Sequence, residues 1–120
     1  MKKLLILGAG TAGTIMANKM RKKLSNREWD ITIVDQSKVH YYQPGFLFIP
    51  FGYYTKEDVI KPTGGLLSGG INVMYDTIEK IDAAKNSVQL QKGEILEYDI
   101  LVIATGTRII PEETPGLKGD

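Results

Sequence analysis

Residues 3–7 (KLLIL) form an unbroken apolar run that stops at Gly8, the pattern of a strand covered on both faces of a parallel sheet. Beyond the glycines, Ala12, Ile15, Met16, Met20 and Leu24 recur at intervals of three and four, with Lys19, Arg21, Lys22 and Lys23 between them. That period predicts an amphipathic helix from about Thr11 to Leu24. Its basic residues cluster toward the C-terminal end, where they complement the helix dipole and read as a solvated face. Ser25 and Asn26 end the helix, and WDITIV (29–34) reads as a second strand. A strand, helix and strand joined in this way make two parallel neighbours in one sheet.

The connection that follows, QSKVHYYQPGFLFIPFGYY, fits neither period. Thr55 to Ile60 is expected to form one or two helical turns, with Thr55 as N-cap and Asp58 at the third position. Gly64, Gly65, Gly69 and Gly70 then punctuate a short helix or turn around Leu66 and Leu67. From Ile71 the pattern changes to short strands: INVMY, TIEKID, SVQLQ, EILEY and ILVIAT. Turns at Lys85-Asn86 and Lys92-Gly93 suggest a small antiparallel meander. ILVIAT (100–105) is again continuously apolar and reads as a return to the parallel sheet, after which a Gly- and Pro-containing exit segment follows. The predicted class is α/β, a single Rossmann-like domain over residues 1–120 with a parallel sheet and a small antiparallel β-meander.

Composition narrows the partners more than the fold. One domain of 120 residues buries roughly two thirds of its unfolded surface, and 42% hydrophobic with 24% charged residues is ordinary for a soluble globular chain. Fifteen basic against fourteen acidic residues leave a net charge of +1, without the basic footprint of a general nucleic-acid binder. With no cysteine, disulfides, thiolate zinc sites and thiol chemistry are excluded within these residues, and a lone His40 argues against a histidine metal site. The apolar run after Lys2 and Lys3 is too short for a secretory signal, and no stretch approaches a membrane span. A cytoplasmic location is expected.

Candidate chemistry starts at Gly8, Gly10 and Gly13, which spell G-x-G-x-x-G between a predicted strand and a predicted helix. Gly8 would permit the tight turn, Gly10 would let the backbone approach a pyrophosphate, and Gly13 would let helix pack closely on strand. Amide groups at the helix start, at Thr11 and Ala12, would face the phosphates. Asp35 ends the second strand, where a carboxylate can accept hydrogen bonds from a ribose hydroxyl pair and would repel a 2′-phosphate. This fingerprint fits NAD and FAD alike.

YDILVIATG (98–106), preceded by the meander, is similar to the segment that closes the FAD-binding half-domain in the pyridine nucleotide-disulfide oxidoreductase superfamily, flavoproteins with two dinucleotide-binding domains. VHYYQPGFLFIPFGYY (39–54) resembles the corresponding segment of sulfide:quinone oxidoreductases, which often carry H-Y-Y-Q-P or a related string there. The resemblance implies FAD as cofactor, with the phosphates at Gly8, Gly10, Thr11, Ala12 and Gly13 and the ribose at Asp35 beside Gln36. It also implies adenine near the backbone of Thr77 and Ile78, the pyrophosphate end at Thr105 and Gly106, and flavin near Gln43 and Pro44. Seven of the ten aromatic residues fall in 39–54; most are expected to pack this long loop against the body of the protein.

Proteins of this kind are several times longer, with a second Rossmann domain inserted into the FAD domain, redox cysteines further on and a membrane-attaching C-terminal region. The chain therefore corresponds to a first FAD-binding segment. It holds no catalytic residue that can be named, and sulfide, quinone and peripheral membrane attachment belong to the full-length form. Type II NADH:quinone oxidoreductases share this half-domain, and a non-catalytic dinucleotide-binding module is a third reading. Exposed strand edges of a half-site predict homo-oligomer formation.

Overall fold

A computed structural model of the chain describes residues 1–41, 43–107 and 110–117, with Gln43 and Pro44 in backbone only. Strand β1 (Lys2–Leu7) leads through the glycine turn into helix α1 (Thr11–Lys23) and back into strand β2 (Trp29–Asp35). β3 (Val39–Tyr41) and β4 (Ile60–Pro62) form an antiparallel ribbon around a 3-10 segment, Gln43–Phe48, and the single-turn helix α2 (Lys56–Val59). β5 (Ile71–Tyr75), β6 (Ile78–Asp82), β7 (Ser87–Leu90), β8 (Ile95–Glu97) and β9 (Ile100–Ile103) complete the order.

The main sheet has the order β5-β2-β1-β9, and every neighbouring pair in it is parallel. INVMY thus extends the parallel sheet as β5, while β6, β7 and β8 alone make the antiparallel meander. Its two turns fall where expected, with Asn86 at φ 49° and Gly93 at φ 101° in the left-handed region. Because β1 is buried on both faces, it separates two cores. Leu4, Ile6, Ile31 and Ile33 pack under α1, whereas Leu5, Leu7 and Val34 meet Val88 and Leu90 of the meander.

α1 occupies the expected span but turns a different side inward. Gly13, Thr14 and Ala17 are buried, with Met20 and Leu24 packed beside them, whereas Ala12, Ile15 and Met16 face outward. The smallest residues of the helix set its contact face, because they let its axis come closest to β1; hydrophobicity alone picked the neighbouring stripe. Arg21 also departs from a solvated basic face. Its guanidinium is half-buried and donates to the carbonyls of Gly70, Leu24 and Trp29, tying the end of α1 to the starts of β5 and β2.

The Thr55–Asp58 capping box of α2 forms as expected. The aromatic loop behaves otherwise. Its rings meet each other edge to face, Phe48 with Tyr53 and Tyr54 and Tyr41 with Phe46. Leu47, Phe51 and Tyr53 remain about three-quarters exposed, so the loop packs largely on itself rather than on the sheet. Among the described residues no helix is long and apolar enough to cross a membrane.

Candidate functional site

The chain leaves β1 toward β2 and β5 and returns on the other side of β1 as β9. Such a reversal opens a crevice at the C-terminal ends of the strands, where ligands of open parallel sheets bind. Two connected hollows lie there. The larger, about 440 Å³, is lined by Gly8–Ala12 on one side, Asp35 and Gln36 on another, and Thr105 and Gly106 at the end of β9. The smaller, about 230 Å³, shares Gly8, Asp35, Gln36 and Thr105 and adds Asp76, Thr77 and Ile78. A third hollow, about 340 Å³ around Lys3, Asp30, Thr32 and Glu97, lies toward the N-terminal ends of β1 and β2, away from the glycine turn.

Each glycine of the fingerprint has a visible cause. Gly8 has φ +98°, and a Cβ there would overlap the carbonyl of Ala104, so this residue fixes how closely β9 approaches the turn. A Cβ at Gly13 would overlap the carbonyl of Gly8, which is why the helix can start so tightly against β1. At Gly10 a Cβ would meet none of the described residues within 4 Å. The space over Gly10 is the open cradle that a phosphate needs in order to reach backbone. Among the described residues no side chain caps α1, and its first turn carries no acidic residue. Its leading N–H groups and the positive end of its dipole are therefore available to an anion.

Asp35 is half-buried and bonded twice to backbone. Its Oδ2 accepts from Ala9 N–H at 2.6 Å and its Oδ1 from Ser37 N–H at 2.9 Å. An ionised carboxylate has acceptor capacity for about four bonds, so both oxygens can still accept from ribose hydroxyls. Asp35 thus holds the glycine turn as well as bordering the cavity. Asp76, at the same place after β5, is buried and accepts from Thr77 N–H at 2.7 Å, shaping the wall of the smaller hollow.

Of the residues singled out from sequence, Gly8, Gly10, Thr11, Ala12, Asp35, Gln36, Thr77, Ile78, Thr105 and Gly106 come together around the two hollows, with Gly13 buried just beneath. The side chains of Gln43 and Pro44 lie outside the described residues. Sequence reasoning missed His40, Ser37 and Asp76; only Asp76 carried a signal, as an acidic residue directly after a parallel strand. Among the described residues no group of His, Cys, Asp or Glu could hold a metal ion.

The family model for pyridine nucleotide-disulphide oxidoreductases matches residues 2–120. The chain belongs to that family. Within that family it is 30% identical over 116 residues to a mitochondrial sulfide:quinone oxidoreductase of Dictyostelium discoideum, covering 97% of this chain and 25% of the relative. It is 34% identical over 119 residues to a type II NADH:quinone oxidoreductase of Staphylococcus aureus, covering 98% and 29% respectively. Its backbone superposes on the sulfide:quinone oxidoreductase of Aquifex aeolicus with a TM-score of 0.79 at 27% identity, over 92% of this chain and 25% of that one. The chain therefore spans between a quarter and a third of the length of these relatives. The family is FAD-dependent, and the open cradle at Gly10, the unpartnered helix start and the acceptor at Asp35 suit a dinucleotide.

Proposed function

We propose that this chain forms the adenosine diphosphate half of the FAD site in a sulfide:quinone oxidoreductase. One observation carries the reading: Gly8–Ala12, Asp35 and Thr105-Gly106, far apart in sequence, enclose one cavity at the reversal point of a parallel sheet. In this reading the N–H groups at Thr11, Ala12 and Gly13 bind the pyrophosphate, and Asp35, with Gln36 beside it, orients the ribose. Thr77 and Ile78 border adenine, Thr105 and Gly106 border the pyrophosphate end, and Gln43-Pro44 approaches the flavin. FAD, when bound, supplies the redox chemistry, while these residues bind and orient it.

The activity proposed for the whole polypeptide is two-electron oxidation of sulfide with a quinone as acceptor, in the cytoplasm and peripheral to the membrane. The H-Y-Y-Q-P string at 40–44 supports the sulfide branch. The 34% identity to the staphylococcal enzyme supports the second reading, a type II NADH:quinone oxidoreductase. Two experiments separate the levels. Titration of FAD into this chain by calorimetry tests the site, and no heat at high micromolar FAD would reject it. A quinone-reduction assay on a polypeptide extended to the length of its relatives, with sulfide or NADH as donor, then tests the branch; reduction by NADH alone would reject the sulfide assignment.

A further inference from the structure

Three side chains from different elements converge on the backbone of one residue. The Ala9 N–H donates to Asp35, and the Ala9 carbonyl accepts from Thr14 Oγ1 at 3.1 Å and lies 3.2 Å from His40 Nδ1. A carbonyl only accepts, so the His40 contact requires the ring proton on Nδ1. In the neutral ring Nε2 then carries a lone pair, and among the described residues nothing bonds to it. His40 is half-buried and lines the same cavity as Gly10, Thr11 and Ala12.

We propose that His40 Nε2 is a further ligand of the FAD pyrophosphate, engaging it only as the imidazolium, so that the chain holds FAD more tightly in more acidic solution. The proposal rests on the dinucleotide reading of the cavity. With Nδ1 committed to Ala9, proton uptake can occur only at Nε2, and it converts a lone pair that repels phosphate oxygen into a charged donor. The charged neighbours are Asp35 at the end of β2, Lys38 just before β3, and Lys61, which stands opposite His40 in the β3–β4 register and interacts with Asp58 of α2. The first turn of α1 brings no acidic residue. Ordinary side-chain carboxylates and lysine ammonium groups keep their charge between about pH 5.5 and about pH 8. An α-amino group changes charge only toward the alkaline end of that window and here belongs to Met1, outside the cavity lining, and His40 is the only histidine. The pyrophosphate of FAD is a diester and does not titrate there either.

FAD titrations of this 120-residue chain, followed by flavin fluorescence across that pH range, test the proposal. Wild type is expected to bind about tenfold more tightly at the acid end. His40→Asn keeps an amide N–H for the Ala9 carbonyl but cannot titrate, and its affinity is expected to change less than about twofold. Thr14→Val, which removes another donor to that carbonyl and leaves the imidazole, is expected to keep the wild-type slope. In wild type, the NMR titration of the single imidazole should shift to higher pH when FAD is added. A wild-type slope that survives in His40→Asn, a flat wild-type profile, or an imidazole titration unmoved by FAD would each overturn it. Wild-type protein that binds no FAD at any pH would instead reject the dinucleotide site itself, and the role of His40 with it.

Discussion

Asp35→Ala removes a carboxylate that serves two purposes, and the structure predicts a separate loss for each. In the folded chain without ligand, the N–H groups of Ala9 and Ser37 lose charged acceptors at 2.6 and 2.9 Å. Hydrogen bonds to charged groups are worth about 1.5–3 kcal/mol each, and half-burial of Asp35 lets water replace part of that, so a loss of about 2–4 kcal/mol in folding stability is expected. A domain of this size has about 5–15 kcal/mol in hand, so the variant should still fold. For the ligand, losing the ribose acceptors costs a further 1.5–3 kcal/mol or about 10- to 150-fold in FAD affinity. Urea denaturation without FAD gives the first number and calorimetric titration of the folded variant gives the second. Asp35→Asn, which keeps one carbonyl acceptor, should fall between. Unchanged affinity would remove Asp35 from the site, and unchanged stability would show that its bonds to Ala9 and Ser37 hold nothing.

Gly10→Ala and Gly13→Ala should separate in kind: the first, with open space for its methyl group, should keep its Tm and lose FAD binding, whereas the second, driven against the Gly8 carbonyl, should lower the Tm as well. Arg21→Lys cannot span three carbonyls at once and should cost about 1–2 kcal/mol in urea denaturation while leaving FAD affinity alone, since Gly70 and Trp29 lie away from the cavity. Hydrogen bonds from the Thr55 backbone N–H and hydroxyl hold Asp58 below the usual carboxylate range. A depressed carboxylate stabilises the fold above its unfolded value and stops doing so as pH falls through its folded value, so amide-exchange protection of α2 should drop on acidification, and Asp58→Asn should erase that drop. Ile100 and Ile103 are half to two-thirds exposed on β9, whose outer edge has no partner strand among the described residues; light scattering after size exclusion should show self-association that Ile103→Lys reduces.

What could be read from sequence was what local chain chemistry decides. The run KLLIL, the glycine turn, the capping box at Thr55 and the two meander turns each carry their cause within a few residues, and each appears as expected. The inward side of α1 did not, because burial there follows how closely Gly13 and Ala17 let two backbones approach, a property of the pair rather than of the helix. β3 and β4 escaped because three residues are too few to show alternation. His40 escaped for another reason: its contact with Ala9 spans 31 positions and exists only once the ribbon is folded against the turn.

That convergence on Ala9 has a kinetic side. Glycine-rich loops usually sample many shapes, and a ligand that selects one of them must offset the entropy of ordering the rest. Here the end of β2, the first turn of α1 and the start of the ribbon already restrain the two peptide planes that meet at Ala9 before any ligand arrives. The disorder is removed when the sheet forms. Nucleotide capture should then be a rigid encounter whose rate rises linearly with ligand concentration, while the lifetime of the complex records how firmly those three side chains keep their hold.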